Sequence, residues 1–178
     1  MATFKINGKN FATQDGTGEP TVSTNVNIDA SLAAANFPAG HVIQIQYYRF
    51  TDSDSDSGGQ WQDSPASITI TPDHSSSFIL VQLFGGFGID NNASDTNISY
   101  RLYNNTQSTV LFEHQGNVQQ ANGYAYGLFG STFGGLDISP NSGANLYKFQ
   151  YGKNGGSGPS SFNPYGKQCV MIAMEIKQ

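Results

Sequence analysis

The sequence predicts an all-β fold, an antiparallel sandwich or barrel, preceded by a short N-terminal arm. Apolar and polar residues alternate along several short segments, and clusters of Gly, Asn, Ser and Pro separate these segments. No long helical pattern interrupts them. Charged residues make up only 12% of the 178 residues, so Asn, Gln, Ser and Thr must cover the solvent-facing sides of the strands. A chain of this length supports one such core.

Residues 1–40 are sparse in large hydrophobic side chains, and we expect them to form an arm for anchoring or assembly. Phe4, Ile6 and Phe11 are the first large apolar residues after Met1, and they are spread among Gly, Thr and Asn. So few apolar groups do not offset the entropy of ordering the segment. The arm either packs on its own domain or is held by neighbouring chains in an assembly, and we favour the second, with these three residues as anchors.

Residues 41–178 supply the predicted strands of a head domain. Ile43, Ile45 and Tyr47 alternate with polar neighbours in HVIQIQYYRF, which is typical of a half-buried strand. The segment FILVQLFGGFG, beginning at Phe78, is apolar on both faces and is predicted to be central. The last strand, CVMIAMEI, places one alternating apolar set opposite Glu175. The other predicted strands are ASITITP, NISYRLYN, TVLFEH, YAYGLFGSTF and LYKFQYG.

Composition excludes several classes of partner and site. The net charge of -5, with eight Lys and Arg in the chain, does not supply the phosphate neutralisation that nucleic-acid binding requires. Cys169 is the single cysteine, so the chain has no intramolecular disulfide and no CxxC zinc pattern. No apolar run is long enough to span a bilayer, and no signal-peptide pattern opens the sequence. We expect synthesis in a host cytoplasm, without cofactor or membrane partner.

The segment DSDSDSGGQWQD is a weak candidate for a calcium loop. Asp52, Asp54 and Asp56 alternate, and Asp63 is the twelfth residue counted from Asp52. However, Ser57 occupies the sixth position, where the tight turn requires Gly, and no helices are predicted on either side. We favour a solvated acidic hairpin tip and predict no metal site.

The sequence also predicts that the protein is not an enzyme. It contains no GxSxG nucleophile elbow, and Cys169 lies in an apolar strand, where a thiol behaves as a small hydrophobic group. Glu19, Glu113 and Glu175 are the only glutamates, which is little material for the paired carboxylates of a glycan hydrolase.

Five segments of residues 40–178 follow an order and spacing that resemble a known family. They are GHVIQIQYYRFT, SITITPDHSSSFILVQLFGG, ISYRLYNN, LDISPNSGANLYKFQYG and MIAMEI. Together they resemble the globular head of tail-fibre and knob proteins of marine, often cyanobacterial, phages, whose heads are similar to the C1q and tumour-necrosis-factor (TNF) jelly roll. The resemblance implies a ten-strand jelly roll, usually in a threefold oligomer with an aromatic and aliphatic axis. It implies no catalytic residues.

The number of aromatic residues independently favours an oligomer. The chain has 12 Phe, 9 Tyr and 1 Trp, more than one small core requires. Such side chains are enriched at subunit interfaces. The predicted interface residues are Tyr47, Phe84, Phe87, Tyr124, Tyr126 and Phe129. For GYAYGLFGSTFGG, stacking platforms for a sugar are the alternative to an interface strand.

Two functions follow as expectations. The first is a virion structural protein on the phage surface, a capsid decoration or knob protein that forms a symmetric trimer and binds other virion proteins through its arm. The chain is nearly all head and has no heptad or repeating shaft, which favours this function. The alternative is the head or connector of a tail fibre or tail appendage that binds a host-surface glycan or protein. A C1q-like domain unrelated to phages is a third possibility, but it would normally carry a secretion signal.

Overall fold

The computed structural model describes residues 2–6, 9–14, 21–22, 38–56, 61–91, 96–118, 125–153, 160–163 and 166–178. Every regular secondary-structure element in these ranges is a β-strand. They are β1 (Ala2–Ile6), β2 (Lys9–Gln14), β3 (Thr21–Val22), β4 (Val42–Phe50), β5 (Asp54–Asp56), β6 (Gln62–Ile70), β7 (Phe78–Asn91), β8 (Thr96–Asn104), β9 (Thr109–Val118), β10 (Ala125–Asp137), β11 (Asn145–Lys153), β12 (Ser160–Phe162) and β13 (Cys169–Ile176). Among the described residues, no helix is long and apolar enough to cross a membrane.

The chain divides into two compact units, Met1–Phe37 and Pro38–Gln178. In the first unit, β1, β2 and β3 form an antiparallel sheet with an irregularity between Phe4 and Lys5. The sparse hydrophobic pattern of this segment does not predict these strands. Phe4, Ile6 and Phe11 lie on β1 and β2, but their side chains are outside the described part of the structure.

The second unit is an antiparallel sandwich of two sheets, which confirms the predicted fold class. The front sheet has the order β4-β13-β7-β10, and β12 pairs with the far half of β7 and with β5. The back sheet has the order β6-β11-β8-β9. The chain passes from one sheet to the other between β5 and β6, β6 and β7, β7 and β8, β9 and β10, β10 and β11, and β11 and β12. This alternation gives a jelly-roll-like sandwich.

Period-2 patterning explains why these segments form strands. In β7, Ile79, Val81 and Leu83 are fully buried while the residues between them are half-buried. Because β13 and β10 flank it, β7 is the central strand that its doubly apolar sequence predicts. Cys169 is also fully buried, as expected for a thiol in an apolar strand.

Aromatic rings from both sheets fill the core. Phe133 of the front sheet lies 4.7 Å from Tyr100 and 5.1 Å from Phe149 of the back sheet, measured between ring centroids. Phe162 lies 5.5 Å from Phe149 and 5.8 Å from Phe50. Each fully buried ring of this kind contributes about 1.5–3 kcal/mol through burial alone. The rings therefore hold the two sheets together without a disulfide.

A buried polar cluster holds one end of the sandwich. The Asp137 carboxylate accepts hydrogen bonds from the Tyr147 hydroxyl at 2.9 Å, from Asn104 Nδ2 at 2.8 Å and from the Ser139 amide at 3.1 Å. Burial and the neighbouring carboxylate both raise the pKa of the Tyr147 hydroxyl, which therefore stays a donor. Asn145 supports the same connection by bonding the backbone oxygens of Asn141 and Gly143. These bonds organise the LDISPNSGANLYKFQY segment.

Candidate functional site

The solvent-facing side of the front sheet is apolar over four strands. Residues directly opposite each other in antiparallel strands point to the same face, so the strand register assigns the members. Across β4, β13, β7 and β10 the outward rows are Val42, Ile176 and Phe78; Ile45, Met174, Leu80 and Leu136; Tyr47, Ile172, Gln82 and Gly134; and Arg49, Val170, Phe84 and Thr132. We call these four rows the front face.

Most of the exposed large hydrophobic residues of the described structure belong to the front face or adjoin it. Exposure reaches 66% for Tyr47 and 57% for Ile45, and Leu136 and Phe84 are also exposed. Ile138 directly follows β10 and is 64% exposed. With Val42, these are six of eight such residues, and only Tyr48 and Val110 lie elsewhere. The exposed apolar surface is therefore concentrated on one face.

The front face has the area of a large surface patch. Four strands spaced about 4.8 Å apart, with four rows about 6.7 Å apart, cover a flat area of about 500 Å². The largest apolar patch on a typical monomer is about 300–600 Å² and is often functional. A standard interface buries about 800 Å² on each partner. The front face therefore matches the largest apolar patches of monomers in area and is smaller than one side of a standard interface.

The solvent-facing side of the back sheet is polar by contrast. Lys148 Nζ lies 2.6 Å from one Asp63 carboxylate oxygen, and Gln150 Nε2 lies 2.6 Å from the other. Partial burial raises the pKa of the Asp63 carboxyl, but the hydrogen bonds from Lys148 and Gln150 and the positive charges of Lys148 and Arg101 together lower it overall. Charged and amide groups thus satisfy one another on this face, as expected for a surface that remains in water.

One arginine on the back sheet lies between two aromatic rings. The Arg101 guanidinium carbon is 4.3 Å from the Trp61 ring centroid and 4.7 Å from that of Tyr103. Arg101 Nε donates to Gln150 Oε1 at 2.7 Å. No hydrogen bond from its two terminal amino groups is found within the described part of the chain. These groups are placed to bind a planar anionic group from outside.

The structure brings together two of the predicted interface residues. Tyr47 and Phe84 lie in adjacent rows of the front face. Phe87, Tyr126 and Phe129 lie on β7 and β10, but their side chains are outside the described residues, and Tyr124 is outside them altogether.

Sequence analysis missed the aliphatic members of the front face. Val170, Ile172, Met174 and Ile176 point outward, whereas Glu175, on the opposite side of β13, is completely buried. Both alternating sets of β13 are apolar apart from this glutamate. The sequence therefore suggests that the side with Glu175 faces solvent, whereas in the structure that side faces the core. The structure gives the reason that a carboxylate is tolerated inside.

The Glu175 carboxylate binds a turn of the chain about a hundred residues away. Its two oxygens accept the backbone N–H groups of Asp73 and His74 at 2.9 and 3.0 Å. A carboxylate that accepts two backbone donors offsets its loss of hydration. Glu175 therefore anchors the turn between β6 and β7.

The weak calcium candidates are engaged in other contacts. Asp63 binds Lys148 and Gln150, as described above, and the Asp54 carboxylate accepts a hydrogen bond from Gln62 Nε2 at 2.8 Å. The Asp52 backbone oxygen accepts one from Asn163 Nδ2 at 3.1 Å. The side chain of Asp56 lies outside the described residues. Within the described ranges, no three Asp, Glu, His or Cys side chains group to hold a metal ion.

The comparisons with known proteins are sparse. No protein-family model matches the chain, and the comparison with curated proteins finds no match. Among solved structures, the chain is similar to a mutant VP2 protein of infectious bursal disease virus from derived T=1 particles, with a TM-score of 0.33 and 14% identity. That match covers 77% of this chain and 37% of the VP2 chain, so this chain spans less than half the length of VP2.

Proposed function

We propose that this protein is a structural protein of a phage virion, displayed on the particle surface as a symmetric homotrimer without enzymatic activity. The front face carries the assembly part of the proposal: a four-stranded apolar surface opposite a polar one. Copies of the same chain are the simplest partner that covers such a face, and most soluble oligomers are closed and symmetric. The resemblance of five segments to phage head domains, with C1q- and TNF-like trimers, supports the number three and the virion.

Within the virion, we propose a capsid decoration or knob protein. Residues 1–40 would bind other capsid or tail proteins, with Phe4, Ile6 and Phe11 as anchoring side chains, and neither nucleic acid nor membrane would take part. The protein would be made in the host cytoplasm and then assemble onto the particle. Density of the intact virion tests this placement: copies in the hundreds over the capsid support decoration, whereas copies at the tail alone contradict it.

The Arg101 cluster favours a second candidate function, the head or connector of a tail appendage that binds a host-surface glycan or protein. Arg, Trp and Tyr are the residue types enriched at binding hot spots, and here the three are in contact. Trp61 is the single tryptophan, so its fluorescence reports on this cluster alone.

Binding to host cells discriminates between the two functions. Receptor binding predicts that purified protein adheres to host cells and that Arg101→Lys, which loses the planar fork, weakens adhesion. Lys167→Arg is the control, because it also preserves the positive charge and Lys167 is an exposed residue outside both the Arg101 cluster and the front face. Absence of adhesion by the wild-type chain would exclude the receptor function.

A further inference from the structure

A single amide stands in the middle of the front face. The two central strands, β13 and β7, place eight side chains outward, and seven of them are apolar. The exception is Gln82, which is half-buried within the subunit. Its cross-strand neighbours are Ile172 and Gly134, and its neighbours along β7 on this face are Leu80 and Phe84. The amide is therefore surrounded by apolar surface.

The Gln82 amide has no hydrogen-bond partner among the described residues of its own chain. Gly134 lies directly beside it, since a Cβ placed at Gly134 would be in van der Waals contact with Gln82 Cγ, at 3.8 Å. When copies cover the front face, water is displaced from around this group. A buried amide without partners is costly, so the covering surface must supply them.

We propose that Gln82 forms hydrogen bonds between subunits and thereby sets the register of the trimer. This inference rests on the proposed assembly through the front face. The inference places Gln82 beside the threefold axis, because only there do identical residues of a cyclic trimer meet. An amide carries both donors and an acceptor, so the three Gln82 side chains satisfy one another there. The apolar rows around Gln82 repeat along the strands, so apolar contacts alone would allow one subunit to shift along the other by a row. In sheets and coiled coils, a single polar residue in an apolar surface specifies the register. Only one register pairs the amides.

An isosteric charge tests whether Gln82 is covered. Gln82→Glu keeps the size and shape of the side chain but buries a carboxylate at neutral pH. We expect the concentration of half-dissociation to rise about a hundredfold or more at pH 7. Protonation at pH 4 restores a neutral donor and acceptor, so the variant should reassemble there relative to wild type at the same pH. Gln46→Glu is the matched control, because Gln46 is exposed and pairs with Ala173 on the opposite side of the front sheet.

A second variant tests the register. Gln82→Leu removes the amide from the two central strands, whose other outward side chains are apolar. We expect species of mixed mass or a weakened trimer by native mass spectrometry. A uniform trimer of unchanged stability in Gln82→Leu, or a Gln82→Glu trimer as stable as the Gln46→Glu control at pH 7, would overturn the inference. A wild-type chain that is monomeric would instead overturn the proposed assembly itself.

Discussion

Truncating Tyr47 separates assembly from folding. Tyr47 is 66% exposed within its subunit, so its ring contributes little to the core of that subunit. A tyrosine presents about 200 Å² of surface, of which the exposed part here is about 130 Å². At about 25 cal/mol per Å², covering this area contributes about 3 kcal/mol per copy.

The expected effect on the trimer follows from this figure. When the free energies lost in the three subunits are added, the concentration of half-dissociation rises about a thousandfold. The entropy lost in ordering the interface side chains reduces this effect. We therefore expect at least a hundredfold increase for Tyr47→Ala, measured by sedimentation velocity over a dilution series. Unfolding of the subunit in urea should change little.

Tyr48 provides the matched control for this experiment. It is the next residue of β4 and is also exposed, but it pairs with Met171 on the other side of the sheet and stacks on Phe50 with ring centroids 5.5 Å apart. Tyr48→Ala should lower subunit stability by about 1 kcal/mol and leave trimer dissociation unchanged. Equal dissociation of both variants, or none in either, would refute the assignment of the front face.

Three further predictions concern the subunit itself. Gly135→Ala should destabilise the subunit by about 1–3 kcal/mol in thermal melts, because the added Cβ would lie 2.7 Å from a side chain of the opposite sheet, whereas Gly134→Ala should not. Glu175→Gln should lower the free energy of unfolding in urea by about 1–3 kcal/mol, since one of its two acceptor oxygens becomes a donor. Glu113→Gln, at an exposed position, serves as control. Equal stability of the two variants would argue against the role of Glu175 as a buried anchor. The folded-state pKa of Asp63 is lowered, so its contribution to stability is present above the usual pKa of an aspartate, 3.8, and is lost as pH falls below it. Because this side chain is half exposed, that contribution should be no more than about 1 kcal/mol, and Asp63→Asn should remove it from the pH profile of unfolding.

The strands of the head could be predicted from the sequence because each carries its own period-2 pattern. The orientation of β13 could not, because both of its faces are apolar and the partners of Glu175 lie about a hundred residues away. The Arg101 cluster could not be predicted for the same reason, because Trp61 directly precedes β6 and lies forty residues from Arg101 of β8 in the sequence. The surplus of aromatic residues predicted an interface that includes Tyr47 and Phe84, and the structure places both of them exposed on the front face. Aliphatic members such as Ile45 have no local signal that distinguishes an outward side chain from a core one.

Native mass spectrometry of the wild-type chain at micromolar concentration tests assembly through the front face most directly. Assembly through this face predicts one dominant species at three times the subunit mass of 19.1 kDa. A stable species at the subunit mass, with the apolar rows of β4, β13, β7 and β10 left in water, would contradict it.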